Sequence, residues 1–94
     1  PLDSPDIRDI YDSFVKRLNG RLPEFRQAWD EKNYDTLRDL GHWLAGAAGT
    51  IGLDDLVPPA RELEYSDWTD LQRDEAVLEY ILDLASRVET TVSQ

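Results

Sequence analysis

The sequence predicts an all-α protein, an antiparallel four-helix bundle with a long bent first helix, and three observations carry that prediction. Apolar residues recur at spacings of three and four through four successive stretches, the one-face stripe of an amphipathic helix. No stretch shows the alternation of a half-buried strand. The links between stretches are short, which forces neighbouring helices antiparallel. Ninety-four residues make one domain, 1–94, able to bury a core without disulfides.

Ser4-Pro5-Asp6 starts the first helix: serine caps free amides, proline fits the first turn and aspartate suits the positive dipole end. Its stripe of Ile7, Ile10, Tyr11, Phe14 and Leu18 continues in phase through Leu22, Phe25 and Trp29. Asn19-Gly20 and Pro23 ordinarily break a helix, because proline has no amide to donate and its ring crowds a carbonyl one turn back. The unbroken phase favours one helix to about Glu31, bent near residues 19 to 23, over two separate helices.

Asn33 caps a second helix from Tyr34 to about Ile51, which Gly52 ends in the left-handed conformation. Pro58-Pro59 cannot both lie inside a regular helix, so Leu53 to Val57 forms a turn, and a short third helix begins at Pro58 and ends near Tyr65. Ser66-Asp67-Trp68 is a loop. Thr69-Asp70-Leu71-Gln72 has the spacing of a capping box, and Leu71, Leu78, Ile81, Ala85, Val88 and Val92 form the buried seam of a last helix to about Thr91.

Composition narrows the function. A net charge of −10, from 20 acidic and 10 basic residues, opposes binding to nucleic acid or to an anionic membrane surface. No apolar run has the length of a membrane span, and no basic-then-apolar run of the signal-peptide kind occurs within these residues. Without cysteine there is neither a disulfide framework nor a thiolate metal site, which fits a reducing compartment, and cytoplasm is the expected location. Starting at Pro1 and lacking methionine, the chain is expected to be a fragment of a larger protein.

The chemistry concentrates in the second helix, where residues 42–52 hold the single histidine and three of the five glycines. At about 100° per residue, His42 projects opposite the stripe of Leu37, Leu40, Leu44, Ala47, Ala48 and Ile51. Its own face consists of Asp35, Arg38, Asp39, Ala45, Gly46 and Gly49, so its C-terminal side is almost bare backbone. Glycine inside a helix costs about 1 kcal/mol relative to alanine. Gly46 and Gly49 lie off the buried stripe, which points to a partner approaching closely.

Other chemistries find too few residues. Asp39-x-x-His42 has the form of half a two-metal bundle site, but such sites take a carboxylate-x-x-His motif from each of two helices, and there is one histidine. None of Ser4, Ser13, Ser66, Ser86 and Ser93 stands in a glycine-bounded turn, and no phosphate-binding loop is present. A surface histidine on a structural bundle and a histidine nucleophile both remain open on the residues alone.

The run His-x-Leu-x-Gly-Ala-Ala-Gly-x-x-Gly from His42, followed by Leu53, Leu56 and Leu63-Glu64, resembles the histidine-containing phosphotransfer (HPt) domain family, without a gap from about Leu22 to Glu64. The resemblance implies that His42 accepts a phosphoryl group on Nε2 from a receiver-domain aspartate and passes it to another receiver's aspartate. The partners are then response-regulator receiver domains, which bring the Mg²⁺; this domain needs no cofactor or metal, has no autonomous catalysis, and is expected to be a monomer. Similar domains carry glutamine or glutamate where Glu64 stands, facing the histidine, and this assigns Glu64 to orient the imidazole. Ala45, Gly46 and Gly49 become the receiver-docking face.

By the same resemblance the parent is a hybrid sensor kinase with this module at its C-terminus, in the cytoplasm or anchored in the inner membrane. Ala45 stands where the family has a lysine. Another cation is then needed at the phosphoryl group, and Arg38, within roughly 40° of His42 around the helix, is the expected one, with Arg61 of the third helix behind it. The missing lysine also keeps open a non-phosphorylated adaptor that only binds receivers.

Overall fold

A helix of 26 residues, α1 (Pro5–Asp30), is the spine of the protein and continues through Asn19, Gly20 and Pro23. All three are exposed, so water can take the carbonyl that Pro23 leaves without a donor. The computed structural model describes residues 5–88. Within them α1 is followed by α2 (Tyr34–Ile51), a 3₁₀ turn (Asp54–Leu56), α3 (Val57–Glu64) and α4 (Leu71–Ser86), with no strand among the described residues. The expected Ser4 cap and the positions Thr91 and Val92, to which the last helix is expected to extend, lie outside them.

Local rules account for the element ends. Lys32 adopts φ 57°, and the Lys32 and Asn33 amides bond back to the Trp29 and Ala28 carbonyls at 3.0 and 2.8 Å, closing α1 with a left-handed terminating turn. Asn33 then opens α2, its side chain accepting from the Thr36 amide at 3.2 Å. Gly52, at φ 86°, closes α2. Pro58 and Pro59 occupy the first turn of α3, where no intrahelical donor is lost.

Connections this short fold the helices back on one another. Phe14 meets Trp43 at 5.5 Å between ring centroids and Trp29 meets Tyr34 at 6.5 Å, so α1 and α2 run antiparallel. Trp68 stacks on Tyr34 at 4.8 Å and ties the α3–α4 loop to the start of α2. The core is filled by Val15, Leu18 and Phe25 of α1, Leu37 and Leu44 of α2, Leu63 of α3, and Leu78 and Ile81 of α4, all fully buried.

Three expectations need correction. Asp70, not Thr69, caps α4, accepting from the Arg73 amide at 3.1 Å, while the Thr69 hydroxyl donates to Asp67 at 2.7 Å. The α4 helix closes at Ser86, and Leu71 in its first turn is 41% exposed; the position one turn later on the seam is Asp74, buried and bonded by the Ser66 hydroxyl at 2.8 Å. Ile10 is 60% exposed beside a shallow groove with Phe14, Ala47 and Ile51, and the buried line of α1 passes through Val15 instead. Each departure lies near a helix end, where neighbours and not periodicity decide what is covered.

Candidate functional site

Two residues of α2 set the site, one by projecting and one by having no side chain. His42 is turned away from the core, its side chain 71% exposed. Gly41, just before it, is buried against α3: a Cβ there would lie 2.7 Å from the Ala60 carbonyl oxygen and 3.0 Å from the Glu64 amide nitrogen. The close approach of α3 delivers Glu64 to the histidine. His42 Nδ1 and Glu64 Oε2 are 2.6 Å apart, a contact in which the ring N–H donates and the carboxylate accepts.

Glu64 is held from its other side too. Arg61, one turn earlier on α3, donates from Nη1 to Oε1 at 2.6 Å, and the Glu64 side chain is only 12% exposed. The Arg61 hydrogen bond, above all, holds the Glu64 carboxyl below its ordinary value of 4.5; burial pulls the other way and His42 adds to the lowering. At neutral pH the group is therefore an ionised acceptor. With Nδ1 carrying the proton, the lone pair of the neutral ring is on Nε2. Nε2 has no hydrogen-bond partner among the described residues.

The lowered carboxyl predicts an acid-dependent stability. A depressed folded-state pKa contributes stability above the unfolded value, and that contribution disappears as the pH falls through the lowered value. Wild type is expected to melt above Glu64→Gln at pH 7, with the gap closing as the pH drops below 4.5. A gap that stays constant down to pH 3 would contradict the lowered carboxyl.

The open side of the histidine is narrower than the helical wheel implies. Gly46 is exposed and a Cβ there would meet nothing within 4 Å, so no internal packing requires this glycine. Gly49 is also exposed, with Val57 of α3 at 3.7 Å from its would-be Cβ. Ala45 is corrected: at 2% exposure it belongs to the core and offers nothing to a partner, because α3 covers that flank of α2. On the other flank Trp43 is half-buried against Phe14, with the Arg21 guanidinium 4.6 Å from its ring centroid.

Arg38 is on the same side as His42 but is bonded to Asp35 at 2.9 Å, and both are exposed. The structure thus brings His42, Glu64 and Arg61 together and places Arg38 and Gly46 at their edge. Sequence reasoning missed Gly41. Its signal was available: Leu37, Gly41, Leu44 and Ala48 share one buried line, and a glycine among leucines on such a line marks a close helix approach.

Among the described residues no three histidine, aspartate or glutamate side chains are placed to hold a metal ion, and no helix is long and apolar enough to cross a membrane. The family model described as the Hpt domain matches residues 9–91. No curated protein and no solved structure matches the chain.

Proposed function

The chain belongs to the Hpt domain family, phosphotransfer modules of phosphorelay signalling that interact with receiver domains of response regulators, and we propose that His42 is its phosphoacceptor. In this reading the Nε2 lone pair attacks the phosphorus of a receiver's aspartyl phosphate. A P–N bond forms as the P–O bond to the aspartyl carboxyl breaks, and the aspartate leaves as a carboxylate. Nε2 carries no proton to lose, and Nδ1 keeps its own on Glu64. The aspartate of a second receiver reverses the step. Mg²⁺ belongs with the receiver, whose charges stabilise the transferring group, and this domain acts as a carrier.

The observation that supports this most is the 2.6 Å contact between His42 Nδ1 and a nearly buried, ionised carboxylate, on a ring otherwise open to solvent. Incubation with a phosphorylated receiver tests it, the expected result being acid-labile, base-stable phosphate on His42. Binding without label would instead favour the adaptor, and no binding a purely structural bundle.

In-line transfer needs the partner's reacting atoms within about 3 to 3.5 Å of the nitrogen, and the bare surface at Gly46 leaves that room. Gly46→Leu is expected to keep its helix content, since leucine is the better helix former, and to slow labelling by about tenfold or more, the scale of a small misplacement. Uptake at the wild-type rate would remove the clearance argument.

Arg38 is the cation we assign to the incoming phosphoryl oxygens in place of the family's lysine. Its exposed pair with Asp35 is worth only about 0 to 1 kcal/mol, so the guanidinium can exchange one anion for another. Arg38→Ala is expected to slow labelling by about fivefold, the worth of one exposed charge-assisted contact. A rate equal to wild type would leave the charge work to the receiver alone.

A further inference from the structure

We propose that Arg61 is a positioning residue for the phosphoacceptor: it lets the Glu64 carboxylate fix the imidazole while keeping that carboxylate's charge from drawing a proton onto Nε2. The inference rests on the phosphoacceptor reading of His42 and adds a residue to it.

A carboxylate beside an imidazole has two effects that oppose each other in a nucleophile. Accepting the Nδ1 proton selects the tautomer whose lone pair is on Nε2, which favours attack. Its negative charge also stabilises the imidazolium, in which Nε2 is protonated and has no lone pair to offer. A site that needs the first effect without the second requires a cation on the carboxylate that does not compete for the same oxygen.

Arg61 has that geometry. It contacts Oε1 at 2.6 Å while His42 Nδ1 contacts Oε2 at 2.6 Å, so the two donors use opposite oxygens of one group. Arginine stays charged throughout the range in which imidazole titrates, so its compensation does not change with pH. The i, i+3 spacing brings the two side chains together on one face of α3, and Arg61 stands in the last turn, where a cation also suits the helix dipole.

The other charged groups around His42 do not supply this compensation. On α2 they are Asp39, an exposed acid, and Arg38, which is paired with Asp35. From α1 comes Arg21, over the ring of Trp43. From α3 come Glu64 and Arg61. The cation on the orienting carboxylate is therefore Arg61.

Titration of the His42 ring followed by NMR of its nitrogens tests the proposal on the unphosphorylated domain. Arg61→Gln is expected to raise the midpoint by about half a pH unit to one, Arg61→Lys to restore most of it, and Arg61→Gln in a Glu64→Gln background to move it far less. With a phosphorylated receiver as donor, the acid limb of the pH–rate profile moves by the same amount, about a three- to tenfold loss below the midpoint with the high-pH plateau kept. A merely structural arginine would lower the melting temperature without shifting either curve. Arg61 is 42% exposed on its side chain, and the lysine variant keeps its charge should the glutamine variant unfold.

With label present on wild-type His42 and the midpoint unmoved in Arg61→Gln, the role of Arg61 alone is overturned. Without label on wild type, the phosphoacceptor reading falls and the role of Arg61 falls with it, whatever the titration shows.

Discussion

His42→Gln is expected to lose all phosphoryl uptake from a receiver while folding as wild type does. The side chain is 71% exposed and lies outside the cluster formed by Leu37, Leu44 and Leu63, so its replacement opens no cavity. What it loses structurally is one contact with Glu64, and Glu64 retains Arg61. The expected stability change is within about 1 kcal/mol, the scale of surface substitutions and exposed pairs. The chemical change is total, because an amide nitrogen has no free lone pair to attack phosphorus. Circular dichroism melting and phosphate labelling of the same preparation check both halves. A stability loss above about 2 kcal/mol, the scale of core truncations, would mark His42 as part of the packing and weaken its assignment.

Gly41→Ala has the largest expected effect on the scaffold, from a single methyl group. That carbon would sit 2.7 Å from the Ala60 carbonyl oxygen, 3.0 Å from the Glu64 amide nitrogen and 3.2 Å from the Leu63 Cβ. Two of the three are backbone atoms, so no side-chain rotation relieves the clash and α3 itself must move. Overpacking of this kind costs about 1 to 3 kcal/mol, while alanine returns up to about 1 kcal/mol of helix propensity. The net expectation is a destabilisation of about 1 to 2 kcal/mol, together with loss of the Nδ1 contact as Glu64 retreats with α3. Gly46→Ala is the control: its methyl meets nothing within 4 Å, so only the propensity gain applies and the protein should become more stable. Thermal melts of the pair decide it. A Gly41→Ala protein as stable as Gly46→Ala would show that α3 is not held close at this point.

The sequence by itself determined what depends on neighbours along the chain. Periodicity at three and four marked the helices, and Asn33 and Gly52 bound α2 because a side-chain acceptor and a left-handed residue act on amides and carbonyls within one turn. The three-residue link at 31–33 forced the antiparallel hairpin, and the wheel turned His42 away from the core. Only the tertiary structure decided which flank of His42 stays open. A helical wheel fixes directions about its own axis and says nothing of the neighbour that arrives there. The eight residues of α3 pack over Gly41 and bury Ala45, which the wheel alone places beside the histidine. The same packing gives Glu64 to His42 across a separation of 22 residues, and no local rule reaches that far, whereas Arg61 meets Glu64 by the i, i+3 spacing within α3.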